Sequence, residues 1–212
     1  MFTKAVRPDT LGAIQLVSKV KTIQEAYLAG GTSLALQIGH RISVDLDFFT
    51  DKKFDEGQLT EELSELPEFK LDSRSTNTIL GNIGETSFSI FYYKYPLLAE
   101  TLDFEGLQLA SKNDIAAMKI NALEDRGTKR DFVDVFFLAK DFSLDEMIKF
   151  YDEKYDALSD HLYPIIRSLG YFADAEADEK PLQMLVETDW EAVKKFFEKE
   201  AMRLAKERLV QL

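Results

Sequence analysis

Apolar residues recur along this chain with two different periods, and the change from one to the other divides it. Up to about residue 110, short helical stretches alternate with segments of period two, which is the period of a strand. Residues 10–21 read as a helix with Thr10 as its cap. A short strand is expected near residues 25–29. Gly30-Gly31 then interrupts the pattern, and residues 32–39 place Leu34, Ala35, Leu36 and Ile38 as a short buried helix that Gly39 ends. Residues 43–49 form a second strand. Residues 58–66 look helical, and Pro67 stops them. Residues 68–93 alternate as strands, with turns at Asn77 and at residues 81–84. Residues 87–93, rich in β-branched and aromatic side chains, predict a central or near-central strand. Residues 107–110 are the last short strand.

From Ser111 onward the period is helical. Residues 112–126 carry Ile115, Met118, Ala122 and Leu123 at helix spacing, and residues 130–139 carry Phe132, Val135, Phe136 and Leu138. Further helices are expected over 145–154, 162–171 and 189–211, with an acidic linker at 174–181. The pattern predicts an α+β protein: a mixed sheet flanked by helices, then a helical half, with the boundary near residue 108. The expected domains are 1–108 and 109–212. No internal repeat or low-complexity segment interrupts this outline.

Composition narrows the class. The 212 residues suffice for one large domain or two small ones. A hydrophobic share of 45% and a charged share of 30% suit an ordinary globular chain. With no cysteine, disulfides and thiolate metal sites are excluded. No apolar run is long enough to span a membrane, and the N-terminus has no signal pattern. A cytoplasmic location is the simplest expectation. The formal charge of −12, spread over both halves, argues against a broadly basic nucleic-acid binder. It leaves room for a local basic groove.

Three clusters carry candidate chemistry. In the strand at 43–49, Asp45 and Asp47 point to one face and Leu46 and Phe48 to the other. Two adjacent carboxylates are costly unless water or a cation screens them, and hard oxygen ligands suit Mg²⁺ or Mn²⁺. The other reading is a solvated strand edge. Upstream, Gly30-Gly31-Thr32-Ser33 opens a helix, where free N–H groups attract phosphate and glycine lets it approach. The same residues also describe an ordinary strand-to-helix turn. In the second half, Lys119, Ala122 and Arg126 share a helix face, with Lys112, Lys129 and Arg130 near in sequence and Asp131 and Asp134 one turn apart. These are either a cationic cluster for a triphosphate or solvated helix ion pairs. His40 and His161 lack a ligand pattern, and Trp190 reads as packing.

Two stretches resemble one family. Residues 27–49, with Gly30-Gly31-Thr32-Ser33 and Asp45-Leu46-Asp47, are similar to the AbiEii/AbiGii nucleotidyltransferase toxins. So are residues 117–138, with Lys119, Ala122, Arg126, Lys129, Asp131 and Asp134. The resemblance implies a DNA-polymerase-β-like nucleotidyltransferase fold, with a helical domain that completes the active-site cleft. It implies a glycine motif at Gly30, Gly31, Thr32 and Ser33, metal carboxylates at Asp45 and Asp47, a lysine motif at Lys119 with Ala122 and a last acidic motif at Asp131 and Asp134. Arg126 and Lys129 would assist in nucleotide binding. Members use Mg²⁺ and NTP, act as toxins in toxin–antitoxin pairs or phage defence, and some modify the acceptor end of tRNA. A nucleoside triphosphate, an RNA acceptor and a cognate antitoxin are therefore the implied partners, with no membrane.

One departure stands against this. The superfamily often adds a third carboxylate on a later strand, and here that strand should be residues 87–93, which hold no acid. Ser89 or Phe91 stands near the expected place. Two readings follow: an active nucleotidyltransferase, or a catalytically degenerate nucleotide-binding or interaction protein on the same fold.

Overall fold

In the computed structural model, which describes residues 1–156, 161–178 and 181–209, the first of two units (Met1–Ser111) is built on one mixed sheet. Its strands are β1 (Tyr27–Leu28), β2 (Leu46–Thr50), β3 (Phe69–Ser75), β4 (Thr78–Ile83), β5 (Thr86–Tyr92), β6 (Leu102–Phe104) and β7 (Leu107–Leu109). They lie in the order β3-β4-β5-β2-β1-β7-β6. β2 is therefore central, parallel to β5 and antiparallel to β1, while β1 runs parallel to β7. Alternation along β2 and β5 sorts the two faces. Leu46 pairs with Phe88 and Phe48 with Ile90, and all four are buried in the apolar core. On the opposite face Asp47 pairs with Ser89 and Phe49 with Phe91.

Helices α1 (Pro8–Val17), α2 (Lys21–Gln24), α3 (Gly30–Ile38) and α4 (Glu56–Ser64) belong to this unit. Gly39 ends α3 in the left-handed region, at φ 66°, which glycine enters without a Cβ clash. α1 begins earlier than its pattern predicts. Arg7 is its N-cap and Pro8 occupies the first turn, where a missing N–H costs nothing. Thr10 is buried inside the helix, with Oγ1 3.3 Å from Thr86 Oγ1. Gly81, expected in a turn, lies within β4. A Cβ there would sit 2.5 Å from the Lys70 carbonyl oxygen, so glycine allows close approach of β3 rather than a reversal. The strand expected over 43–49 is regular only from Leu46. Asp45 lies just before it, and Ser43 makes a separate bridge to Val6.

The second unit (Lys112–Leu212) contains α5 (Lys112–Asp125), α6 (Lys129–Leu138), α7 (Leu144–Tyr155), α8 (Leu162–Leu169), α9 (Ala173–Ala177) and α10 (Trp190–Leu204). A π-helical turn over Ala205–Leu209 continues α10. Residues 210–211 of the expected last helix, and 179–180 of the acidic linker, lie outside the described residues. Ser143 and Glu146 close a reciprocal capping box that fixes the start of α7. α5 packs against α6, α7 and α8. Phe132 anchors the other side, with its ring centroid 5.0 Å from those of Phe172 and Phe197. Among the described residues no helix is long and apolar enough to cross a membrane.

Candidate active site

The sheet and the glycine turn meet at Asp47. One of its oxygens, Oδ1, accepts a hydrogen bond of 2.6 Å from Ser89 Oγ, directly across the β2–β5 pairing. The other, Oδ2, faces the start of α3, where a Cβ added to Gly30 would lie 3.3 Å away. The Asp47 carbonyl accepts from Ala29 N–H at 3.0 Å, which ties the strand to the turn. Gly30 is at φ 64°, a conformation that L side chains enter at a cost of about 1–2 kcal/mol. Both the backbone angle and the neighbouring carboxylate therefore select glycine.

The turn is braced from beneath. Thr32 Oγ1 donates to the Asp45 carbonyl at 2.5 Å and shares a 2.9 Å hydrogen bond with Ser43 Oγ. This bond holds the backbone of Asp45, which regular pairing in β2 does not reach. Arg41, buried, runs under Gly31, where a Cβ would overlap its guanidinium. Ser33 is fully buried, with Oγ 3.1 Å from Gln37 Nε2. Gln37 also donates to the Ala110 carbonyl at 2.9 Å, so α3 is pinned to the end of the sheet.

Asp45 and Asp47, both half-buried, offer the hard oxygen donors that a small divalent cation takes. Among the described residues no group of three or more acidic, histidine or cysteine side chains comes together as a metal cluster. The position across from Asp47 is a serine. Of Ser89 and Phe91, the two residues the sequence places near the expected third acid, the strand register sets Ser89 opposite Asp47.

In the second unit Lys119 is enclosed by two carboxylates. Its Nζ lies 2.9 Å from Asp131 Oδ1 and 2.6 Å from Asp134 Oδ2, with the lysine side chain only 7% exposed. Asp131 also accepts from Arg126 Nε at 2.9 Å and Thr128 Oγ1 at 2.6 Å. Burial opposes the charge of Asp131. The Lys119 ammonium, the Arg126 guanidinium and the Thr128 hydroxyl outweigh it and hold this carboxyl well below the usual carboxylate range. Thr128 precedes α6 and Asp131 is its third residue, a threonine-x-x-acid start that the sequence displays and that the cationic cluster alone would not suggest. Lys129 stands apart from these groups, with Nζ 5.1 Å from the centre of the Trp190 ring. Lys112 pairs with Asp141 at 2.6 Å.

A pH dependence follows from Asp131. Because folding lowers its pKa, ionised Asp131 contributes stability above the unfolded value of about 4. As pH falls below that, the unfolded chain takes up the proton first and the contribution shrinks. Melting temperature should therefore fall between about pH 4 and pH 2, and calorimetry should show a shallower fall for Asp131→Asn than for the wild type. Equal slopes would place the acid sensitivity elsewhere.

Comparison with known proteins places the chain in a family. An uncharacterised Aquifex aeolicus (strain VF5) protein, aq_aa25, is 34% identical over 202 residues, covering 92% of this chain and 96% of that one. Helicobacter pylori JHP933 shares the fold at TM-score 0.55 and 21% identity, over 97% of this chain and 96% of that structure. The Mycobacterium tuberculosis H37Rv nucleotidyltransferase toxin MenT4 (Rv2826c) also matches at TM-score 0.55, with 16% identity over 93% of this chain and 82% of that structure. At such identities these two structures speak for the fold alone. The family described as nucleotidyl transferase AbiEii toxin, of a type IV toxin–antitoxin system, matches residues 15–107 and 93–210. That match spans the glycine turn, both strand carboxylates and the Lys119–Asp131 pair, and the chain belongs to the AbiEii nucleotidyltransferase toxin family.

Proposed function

We propose that this protein transfers a nucleoside monophosphate from an NTP to an acceptor hydroxyl, with Mg²⁺ or Mn²⁺, as the cytoplasmic toxin of a toxin–antitoxin or phage-defence pair. The observation that carries this reading is Asp47 itself, fixed by Ser89 on one side and turned toward Gly30 on the other. A carboxylate beside a glycine turn that opens a helix suits a cation and a phosphate bound together.

Each residue has a role in that reading. The amides of Gly30 and Gly31 bind phosphate oxygens, and Thr32 holds Asp45 in place beside them. Ser33, being buried, sets the first turn of α3. Asp45 and Asp47 would hold the metal, which when bound offsets charge on the triphosphate. Lys119 gives two of its three protons to Asp131 and Asp134 and keeps the third for a phosphate oxygen. Asp131 orients Lys119 and Arg126. Lys129 adds positive charge from its seat on Trp190. The acceptor is RNA, with the acceptor end of tRNA as the first candidate, and the partner is a cognate antitoxin.

Ser89 is a positioning residue in this scheme. Removing a hydrogen bond to a charged group costs about 1.5–3 kcal/mol, so Ser89→Ala should lower transfer about tenfold or more, with Ser89→Thr retaining the rate. An alanine variant as fast as wild type would remove Ser89 from the site.

Transfer is tested with α-labelled ATP, GTP, CTP and UTP in turn, with Mg²⁺ and total cellular RNA, beside the double variant Asp45→Asn/Asp47→Asn. Label in RNA from the wild type alone supports the proposal and names the base. A second reading, nucleotide binding without transfer, is favoured by the serine standing where a third acid is expected. Metal-dependent nucleotide binding with no labelled product would establish it instead.

A further inference from the structure

A second cleft lies within the helical unit and shares only Arg126 with the scheme above. It encloses about 440 Å³, a volume that suits one nucleotide-sized group. One wall is the outer face of α8 and the turn after it. Tyr163 and Arg167 lie four apart on α8, on the face opposite to the buried Ile165, Ile166 and Leu169, and Tyr171, two residues beyond the helix end, continues this stripe along the cleft. The facing wall is the C-terminal end of α5 with Arg126 and Gly127.

The chemistry of this stripe is unusual for a solvated helix face. Tyr163 is 61% exposed and Tyr171 54%, although both line the cleft. Among the described residues the Arg167 guanidinium has no ion-pair partner. Across from it, Arg126 holds Asp131 with its Nε and an Nη while its side chain stays 60% exposed, so it is anchored rather than floppy. The cleft thus presents two aromatic faces and two guanidinium groups, with Asp125 and Asp174 as acceptors at its margin. Glu124, also in the lining, accepts from Tyr151 Oη at 3.1 Å.

We propose that this cleft seats an unpaired nucleotide of a single-stranded nucleic acid, its base stacked on Tyr163 or Tyr171 and its phosphate on Arg167 and Arg126. Base–aromatic stacking tolerates any base, and the carboxylates can accept from exocyclic amino groups. A protein of net charge −12 cannot attract a polyanion over its whole surface, so strand binding needs such a local site. A duplex stacks its internal bases on one another and pairs them all, so it offers the cleft no splayed base. Only in naming that strand the acceptor of the transferred nucleotide does this site rest on the proposed function.

The test is fluorescence anisotropy with a short labelled oligoribonucleotide, single-stranded and annealed to its complement, on the full chain. The wild type should bind the single strand better than the duplex, and less tightly as salt rises. Tyr163→Ala and Tyr171→Ala should each weaken it about tenfold, since one stacked base is worth about 1–3 kcal/mol. Tyr→Phe at either position should retain affinity, because the ring and not the hydroxyl is used. Arg167→Ala should weaken binding and flatten its salt dependence. These side chains are exposed, so unchanged melting temperatures separate lost contacts from lost folding. Asp47→Asn should bind the oligonucleotide normally, and this separates the two proposals. Tyrosine variants that bind like wild type, a duplex bound as tightly as the single strand, or a wild type that binds no oligonucleotide would each overturn the cleft's assignment. The last result would leave the stripe to a protein partner, and none of these results bears on NTP binding at the glycine turn.

Discussion

Asp47→Asn is expected to abolish nucleotide transfer while leaving the protein folded. The amide is close in shape to the carboxylate. Ser89 Oγ can still donate to its oxygen, and the apolar face of β2, with Leu46 and Phe48, is untouched. What is lost is the anionic oxygen beside Gly30. A metal ligand supplies several kcal/mol of transition-state stabilisation, and each 1.36 kcal/mol is a factor of ten, so the loss should be on the order of 10³-fold. Asp45→Asn should act in the same direction, because its backbone is held by Thr32 and only its side chain changes. Rates are read with labelled NTP, and folding by melting temperature. A folded Asp47→Asn protein that transfers at the wild-type rate would remove this carboxylate from the reaction.

The largest loss of stability is expected not at the sheet but at Asp114. Its carboxylate lies 2.8 Å from Lys154 Nζ, and neither side chain has any solvent exposure. The pair links the first turn of α5 to the last turn of α7. Asp114→Ala leaves an ammonium buried without that partner, which costs about 3–5 kcal/mol. For a chain of this size that is about 6–20 °C in melting temperature. Replacing both partners together, Asp114→Leu with Lys154→Met, should recover most of it, since the penalty belongs to the uncompensated charge. The contrast is Lys112–Asp141, shorter at 2.6 Å but 37% and 40% exposed. Breaking that pair should cost no more than about 1 kcal/mol. A melting temperature for Asp114→Ala within a degree or two of wild type would show that the buried pair is dispensable.

The parts of the fold that were readable from sequence are those whose local signal and tertiary role coincide. α3 is bounded by glycines that the chain needs on conformational grounds, and β2 alternates because one of its faces is core. The helices of the second unit announce themselves by period. β6 was not readable. It spans three residues, two of them exposed, and exists because the Glu105–Gly106 turn, with both φ values positive, folds it onto β7. Gly81 misled because glycine serves close approach as well as reversal, and only the presence of β3 decides which.

The candidate site was legible as a set of residue types but not as a set of contacts. Nothing in the order of residues says that Ser89 faces Asp47, because that depends on β5 pairing in parallel with β2 across an intervening hairpin. Nor could spacing tell that Lys119 is enclosed rather than exposed. That follows from α6 folding back on α5 and delivering Asp131 and Asp134 to its ammonium.

The bond from Ala110 N–H to the Leu28 carbonyl, with Gln37 reaching the Ala110 carbonyl, also sets an order of events in synthesis. The glycine turn leaves the ribosome early, and the strand that completes its support comes roughly 80 residues later, about 4–16 s at 5–20 residues per second. Until then β1 has no β7 beside it and α3 has nothing to pin its far side. A growing chain therefore carries its glycine turn without this support through most of its first half, and Lys119 and Asp131 of the proposed scheme are made later still.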